Sequence, residues 1–188
     1  IGWICDWQVP AHAGEIVAGV DRQAAVLLPV DPLRIGLIYP KSQPSHDKAK
    51  AYYNRGTAYQ TRGNGPAAIK DFNVALELNP SFVEAYINRA QARQSQRDLE
   101  GAMADYNQAI ELKPDAGVYY ARATARQAKE DLTSALTDYS KAIELDPRLA
   151  QAYANRGVIE ALQGKKLEAR QDFERAFLID PSLRATFK

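Results

Sequence analysis

The sequence predicts an all-α protein: a solenoid of four stacked helical hairpins behind an irregular N-terminal arm. Three observations predict it. Prolines recur at Pro80, Pro114, Pro147 and Pro181, at spacings of 34, 33 and 34 residues. Other columns keep the same step: Tyr52, Tyr86, Tyr119, Tyr153; Gly56, Ala90, Ala123, Gly157; Ala68, Ala102, Ala135, Ala169; Phe72, Tyr106, Tyr139, Phe173; and Ala75, Ala109, Ala142, Ala176. Turn-forming residues punctuate each unit at Gly63-Asn64-Gly65-Pro66, Arg97-Asp98, Glu130-Asp131 and Gly164-Lys165. A fixed period of this size is the mark of a repeat architecture.

Each hairpin follows from these columns. In the first helix the tyrosine and the small residue four positions later share one face, and the small residue lets a neighbouring helix come close. In the second helix Ala, aromatic and Ala fall at i, i+4 and i+7, which makes one apolar stripe. The aromatic fills the space the alanines leave. The proline cannot continue the second helix and ends it. The expected helices are 49–62, 66–78, 82–95, 99–111, 116–128, 132–144, 149–162 and 166–179. The expected domains are an arm over 1–47, repeats over 48–82, 83–115, 116–149 and 150–183, and a remnant of a capping helix over 182–188.

Two local departures stand out. Gly65-Pro66 takes the place of a large residue in the first turn, so loose packing is expected there. One residue is missing between Pro114 and Tyr119, in the turn or the first turn of the fifth helix. Gly117 at that start weakens the helix by about 1 kcal/mol relative to Ala.

A pair of charged columns runs through all four repeats. Arg55, Arg89, Arg122 and Arg156 precede the small residue, and Asp71, Asp105, Asp138 and Asp172 precede the aromatic. The constant 16-residue separation predicts an architectural ion pair across each hairpin.

These residues resemble the tetratricopeptide repeat (TPR) family over residues 48–181. Ala51-Tyr52-Tyr53-Asn54-Arg55-Gly56 and Ala109-Ile110-Glu111-Leu112-Lys113-Pro114 sit where that family's pattern puts them. The resemblance implies a right-handed α-solenoid with a concave groove lined by the first helices. It also implies that the ligand is a protein or peptide segment.

The groove face is expected to hold Lys50, Tyr53, Asn54, Thr57, Glu84, Asn88, Gln91, Tyr120, Thr124, Asn155 and Val158. Three repeats place Asn at its centre. An amide both donates and accepts, so it can pair with the backbone of an extended peptide, a use the family makes of this position. The bland alternative is an Asn that simply caps or solvates a neighbouring helix. Tyr53 and Thr57 stand where members that clamp chaperone tails would need Lys and Asn, so such a tail is not the expected ligand. Val158 and Leu162 make the fourth repeat's part of the groove apolar.

Composition narrows the function classes. Lys and Arg number 24 against 23 Asp and Glu, for a net charge of +1, so no basic field points to RNA. His12 and His46 lie outside the expected repeats, and Cys5 is the single cysteine. No intramolecular disulfide can form, and no zinc-type spacing is present. No P-loop or dinucleotide fingerprint occurs. An enzyme is therefore not expected, nor a cofactor. The longest early apolar run, Ala24 to Val30, is too short to span a bilayer.

The ends carry further expectations. The chain does not begin with Met, and Pro10-Ala11-His12-Ala13-Gly14 has the small-x-small look of a leader cleavage site. The compartment is cytoplasmic, or periplasmic or secreted if residues 1–13 are a leader remnant. Val26 to Val30 and Ile35 to Tyr39 read as a β-hairpin around Asp31-Pro32. Phe177-Leu178 replaces the apolar–Glu pair of the other repeats, leaving the C-terminal helix under-covered. Two function classes result: a scaffold that binds a protein segment in its groove, and self-association through that C-terminal face.

Overall fold

The computed structural model describes residues 45–186. The expected leader remnant, the hairpin over residues 26–39 and Cys5 lie outside them. The described residues hold eight helices: α1 (Ser45–Thr61), α2 (Gly65–Leu78), α3 (Val83–Ser95), α4 (Leu99–Leu112), α5 (Ala116–Ala128), α6 (Leu132–Leu145), α7 (Ala150–Leu162) and α8 (Lys166–Ile179). A short 3-10 turn, Pro181–Ala185, follows. Each helix packs on its hairpin partner, and α2, α4 and α6 each pack on the next first helix. This is an all-α solenoid stacked in series.

The boundaries agree with the sequence reading within two residues, except at the start. Helix α1 begins at Ser45, ahead of the repeat's first column, with Asp47 in its first turn. A carboxylate there favours a helix start through the positive end of the helix dipole. His46 is therefore inside a helix, its Nδ1 3.5 Å from the Asn79 amide nitrogen.

The seam columns seal the core. Ala68, Phe72, Ala75, Ala90, Ala102, Tyr106, Ala109, Ala123, Ala135, Tyr139 and Ala142 are all fully buried. Burying one large apolar side chain contributes about 1.5–3 kcal/mol, so the aromatic column dominates each seam. A methyl group at Gly56 would sit 2.7 Å from Phe72 Cε1, which shows how closely α1 and α2 approach.

The expectation of loose packing at Gly65-Pro66 is corrected. Gly65 is buried, and a methyl group there would meet Gln96 Nε2 at 2.7 Å. Gln96, at the end of α3, fills the gap from the next repeat. The missing residue falls in the turn: α3, α5 and α7 each have 13 residues. Asp115 caps α5, accepting from the Gly117 and Val118 amides at 2.9 and 3.3 Å.

Every turn inside a hairpin uses one left-handed residue: Gly63, Arg97, Glu130 and Gly164, with φ of 76°, 66°, 64° and 77°. Arg97 and Glu130 bear a Cβ there, which costs about 1–2 kcal/mol in that region. Arg97→Gly and Glu130→Gly are expected to raise stability by about 1 kcal/mol each, after glycine's greater freedom in the unfolded chain is counted. A rise in the urea midpoint at unchanged slope checks this. A fall would show that these side chains hold the turn.

The charge ladder forms in all four repeats. Nε and Nη2 of Arg55, Arg89, Arg122 and Arg156 donate to both carboxylate oxygens of Asp71, Asp105, Asp138 and Asp172, at 2.6–2.9 Å. Each guanidinium also lies over its column tyrosine, Tyr52, Tyr86, Tyr119 or Tyr153, at 5.3–5.7 Å from the ring centre. Such stacking adds to the pairing. In the middle repeats a second arginine joins: Arg93 Nη1 reaches Asp105 at 2.8 Å and Arg126 Nη1 reaches Asp138 at 2.6 Å.

Repeat 4 breaks this pattern. The second-arginine position holds Glu160, whose Oε2 is buried with no hydrogen-bond partner among the described residues. Its carboxyl pKa is raised by burial, by the Asp172 and Glu168 charges and by hydrogen bonding to Asp172, against the opposing pull of Arg156. The folded chain therefore holds this proton more tightly than the unfolded chain does. The resulting stability is fully present below the ordinary carboxylate pKa and is lost as pH rises through the raised value. Glu160→Gln is expected to flatten this pH dependence and to raise stability at neutral pH. Thermal unfolding of both proteins across that range tests it, and parallel curves would sink it.

Candidate protein-binding face

The first helices present one row of side chains away from the seams. Lys50 and Asn54 on α1, and Glu84 and Gln91 on α3, are exposed. Thr57, Asn88, Thr124, Asn155 and Val158 are partly buried among them, as are Tyr53 and Tyr120. The row carries both charge signs, Lys50 and Glu84, and is otherwise neutral.

The partly buried members are tied together. Asn88 Nδ2 donates to Tyr53 Oη at 3.1 Å and to Thr57 Oγ1 at 3.3 Å. Thr57 Oγ1 donates to the Tyr53 carbonyl at 3.0 Å. Two repeats on, Asn155 Nδ2 donates to Tyr120 Oη at 3.1 Å and to Tyr139 Oη at 3.4 Å. Each amide thus bridges its own first helix to the preceding one. In both, the Oδ1 acceptor meets no donor among the described residues. Between repeats 2 and 3 the same positions are Ile87 and Ala121, which pack in one apolar cluster. Polar, apolar and polar links alternate along the row.

The rings below hold the row in place. Tyr53 lies 4.8 Å from Phe82 and 6.0 Å from Phe72, ring centre to ring centre. Tyr120 lies 5.7 Å from Tyr139. Burial raises the pKa of Tyr120 and of Tyr139, and pushes Tyr106 up to about 12, so these phenols stay neutral. Tyr106 and Tyr139 donate to Gln94 and Gln127 at 3.1 and 2.8 Å, and Gln94 Nε2 is 3.4 Å from Thr124 Oγ1. Core and row are one network.

From sequence, the row's amides stood between pairing with a ligand backbone and capping or solvating a neighbouring helix. The structure engages both amide hydrogens' side of Asn88 and Asn155 internally and keeps Asn54 exposed. The signal was a Tyr–Asn separation of 35 residues, seen at Tyr53–Asn88 and Tyr120–Asn155. Among the described residues no cluster of metal-ligating side chains occurs, and no helix is long and apolar enough to cross a membrane.

The fold and this row define a helical-hairpin repeat protein. The tetratricopeptide repeat profile matches residues 49–82 and 83–115, a TPR repeat profile matches 125–164, and a further tetratricopeptide repeat profile matches 150–183. The chain belongs to the tetratricopeptide repeat family, which is generally a non-enzymatic protein-interaction fold. No curated protein matches it significantly. Solved structures similar to it include a crystal structure of MamA, at 22% identity and TM-score 0.69 over 73% of this chain and 81% of that one. MamA from residue 41 to its end, from Desulfovibrio magneticus RS-1, is 20% identical with TM-score 0.70 over 80% and 82%. The first TPR domain of Spaghetti (RPAP3), bound to the HSP90 peptide SRMEEVD, is 26% identical with TM-score 0.61 over 63% and 95%.

Proposed function

We propose that the row of first-helix side chains holds an extended segment of a partner protein, with no chemistry performed on it. The observation that supports this is the pair of braced amides. Asn88 and Asn155 are fixed through their nitrogens, which leaves each Oδ1 preset to accept from a ligand backbone amide. Preorganised groups lose little freedom on binding, so more of the contact energy appears as affinity. The RPAP3 domain, which has a similar fold, is bound to an HSP90 peptide, and this supports the reading. Here Tyr53 and Thr57 are committed to Asn88 and bring no positive charge, so the preferred segment is neutral and polar, with an apolar end against Val158 and Leu162.

The test is an affinity pull-down with the full chain and with an Asn54→Ala, Asn88→Ala, Asn155→Ala variant shown by circular dichroism to stay helical. Partners retained by the wild type and lost from the variant are expected. An unchanged partner set would remove the row from the site.

A further inference from the structure

Each joint between repeats seals the same two columns of the incoming first helix. Ala85 and Ala92, Val118 and Ala125, and Ala152 and Ile159 are all at most 2% exposed. In α1 those columns are Ala51 and Ala58, and both remain partly exposed. At the other end, α8 is followed by only the short turn Pro181–Ala185 among the described residues. Phe173 on α8 is partly exposed, whereas its column mates Phe72, Tyr106 and Tyr139 are fully buried, and Phe177 one turn on is partly exposed as well. Among the described residues, the two halves of a joint that is closed three times internally are left unmatched.

A polar bond points the same way. Nη1 of the ladder arginine reaches back across each joint: Arg89 to Asn73 Oδ1 at 2.7 Å, Arg122 to Asn107 Oδ1 at 2.6 Å, Arg156 to Ser140 Oγ at 3.1 Å. Nη1 of Arg55 has no acceptor among the described residues, although its other nitrogens hold Asp71. The acceptor column continues on α8 with Glu174, which is exposed and bound by Arg170 at 2.8 Å. An unmet cationic donor at one end thus faces, one joint on, an anionic acceptor at the other.

We propose that this chain self-associates head to tail, α8 of one copy seating α1 of a second copy, with Glu174 accepting from the second copy's Arg55. The joint repeats the α6–α7 contact. Its largest loss of apolar contact is in one column: Arg170 stands where Ile69, Met103 and Leu136 supply apolar packing. That loss makes it weaker than the internal joints and reversible. The two surfaces differ, so the contact is heterologous and extends into an open string rather than closing as a symmetric dimer.

The test uses the full chain in sedimentation velocity over a wide concentration range. The wild type is expected to grow in mass with concentration. Phe177→Asp, in the column where Leu76, Ile110 and Ile143 pack at the internal joints, blocks the α8 end and Ala58→Arg blocks the α1 end, and each alone is expected to be monomeric. Mixed, they should form a one-to-one heterodimer, because each keeps the half that the other lacks. Glu174→Lys should weaken wild-type association at least about tenfold, the loss of one favourable ion pair and its replacement by repulsion. A wild type that stays monomeric overturns the proposal. So does a mixture that stays monomeric when both variants are folded by circular dichroism. Self-association of Ala58→Arg alone would mean contact between two α8 faces, and that also overturns it.

Discussion

Asp138→Ala is expected to lower the unfolding free energy by about 3–5 kcal/mol, the usual cost of removing one partner from a buried ion pair. The carboxylate side chain is 3% exposed, and its arginines Arg122 and Arg126 are 14% and 23% exposed. Its three charge-assisted hydrogen bonds are not the main reason for the size. Removal leaves two guanidinium groups largely withdrawn from water with no anion between them, and the desolvation already incurred is no longer offset. Asp172→Ala is expected to cost less. It frees Arg156, but it also relieves the Glu160 carboxylate of its nearest like charge. Urea unfolding of both variants, with Arg122→Ala and the Arg122→Ala, Asp138→Ala double variant, completes the comparison. Losses that add strictly would rule out pairing, and a larger loss at Asp172 would rule out the account of repeat 4.

The ladder was legible because four copies of each partner stood at one constant separation. A spacing repeated that often states a contact before any coordinates exist. The second arginine was not legible for the opposite reason. Only Arg93 and Arg126 carry it, while Tyr59 and Glu160 occupy the same position in the outer repeats, so no column announces itself. The Tyr–Asn bridges were not legible because their 35-residue step is one longer than the usual 34-residue period. The bridges link helices of adjacent repeats, whereas the periodic pattern specifies only the packing and open faces within each helix. Gln96 filling the gap at Gly65 is a contact between repeats of the same kind. What the period encodes is the hairpin. What crosses from one hairpin to the next depends on side chains whose partners lie a repeat away and are not themselves repeated.

Tyr139→Ala is the second large effect, at about 3–5 kcal/mol for deleting a buried aromatic. Tyr139 is fully buried between α5, α6 and α7, and its cluster includes Ala123, Ala135, Ala142, Ala152 and Ile159. The alanines cannot move in to fill the cavity, because the backbones they belong to are already in close contact. Tyr139→Phe separates the ring from the hydroxyl. It keeps the packing and leaves Gln127 Oε1 without its donor and Asn155 with Tyr120 alone, which is expected to cost about 1 kcal/mol. A stack of repeats is held by neighbour contacts, so damage at the third seam should uncouple the fourth repeat before the first two melt. Urea unfolding of Tyr139→Ala, followed by circular dichroism, is therefore expected to show an early partial loss of helix and then the main transition. The Phe variant should unfold in one step with its partner binding reduced more than its stability, because Asn155 loses part of its brace. A single, barely shifted transition for Tyr139→Ala would mean that the seams do not carry the fold, and the binding row would then have no rigid base.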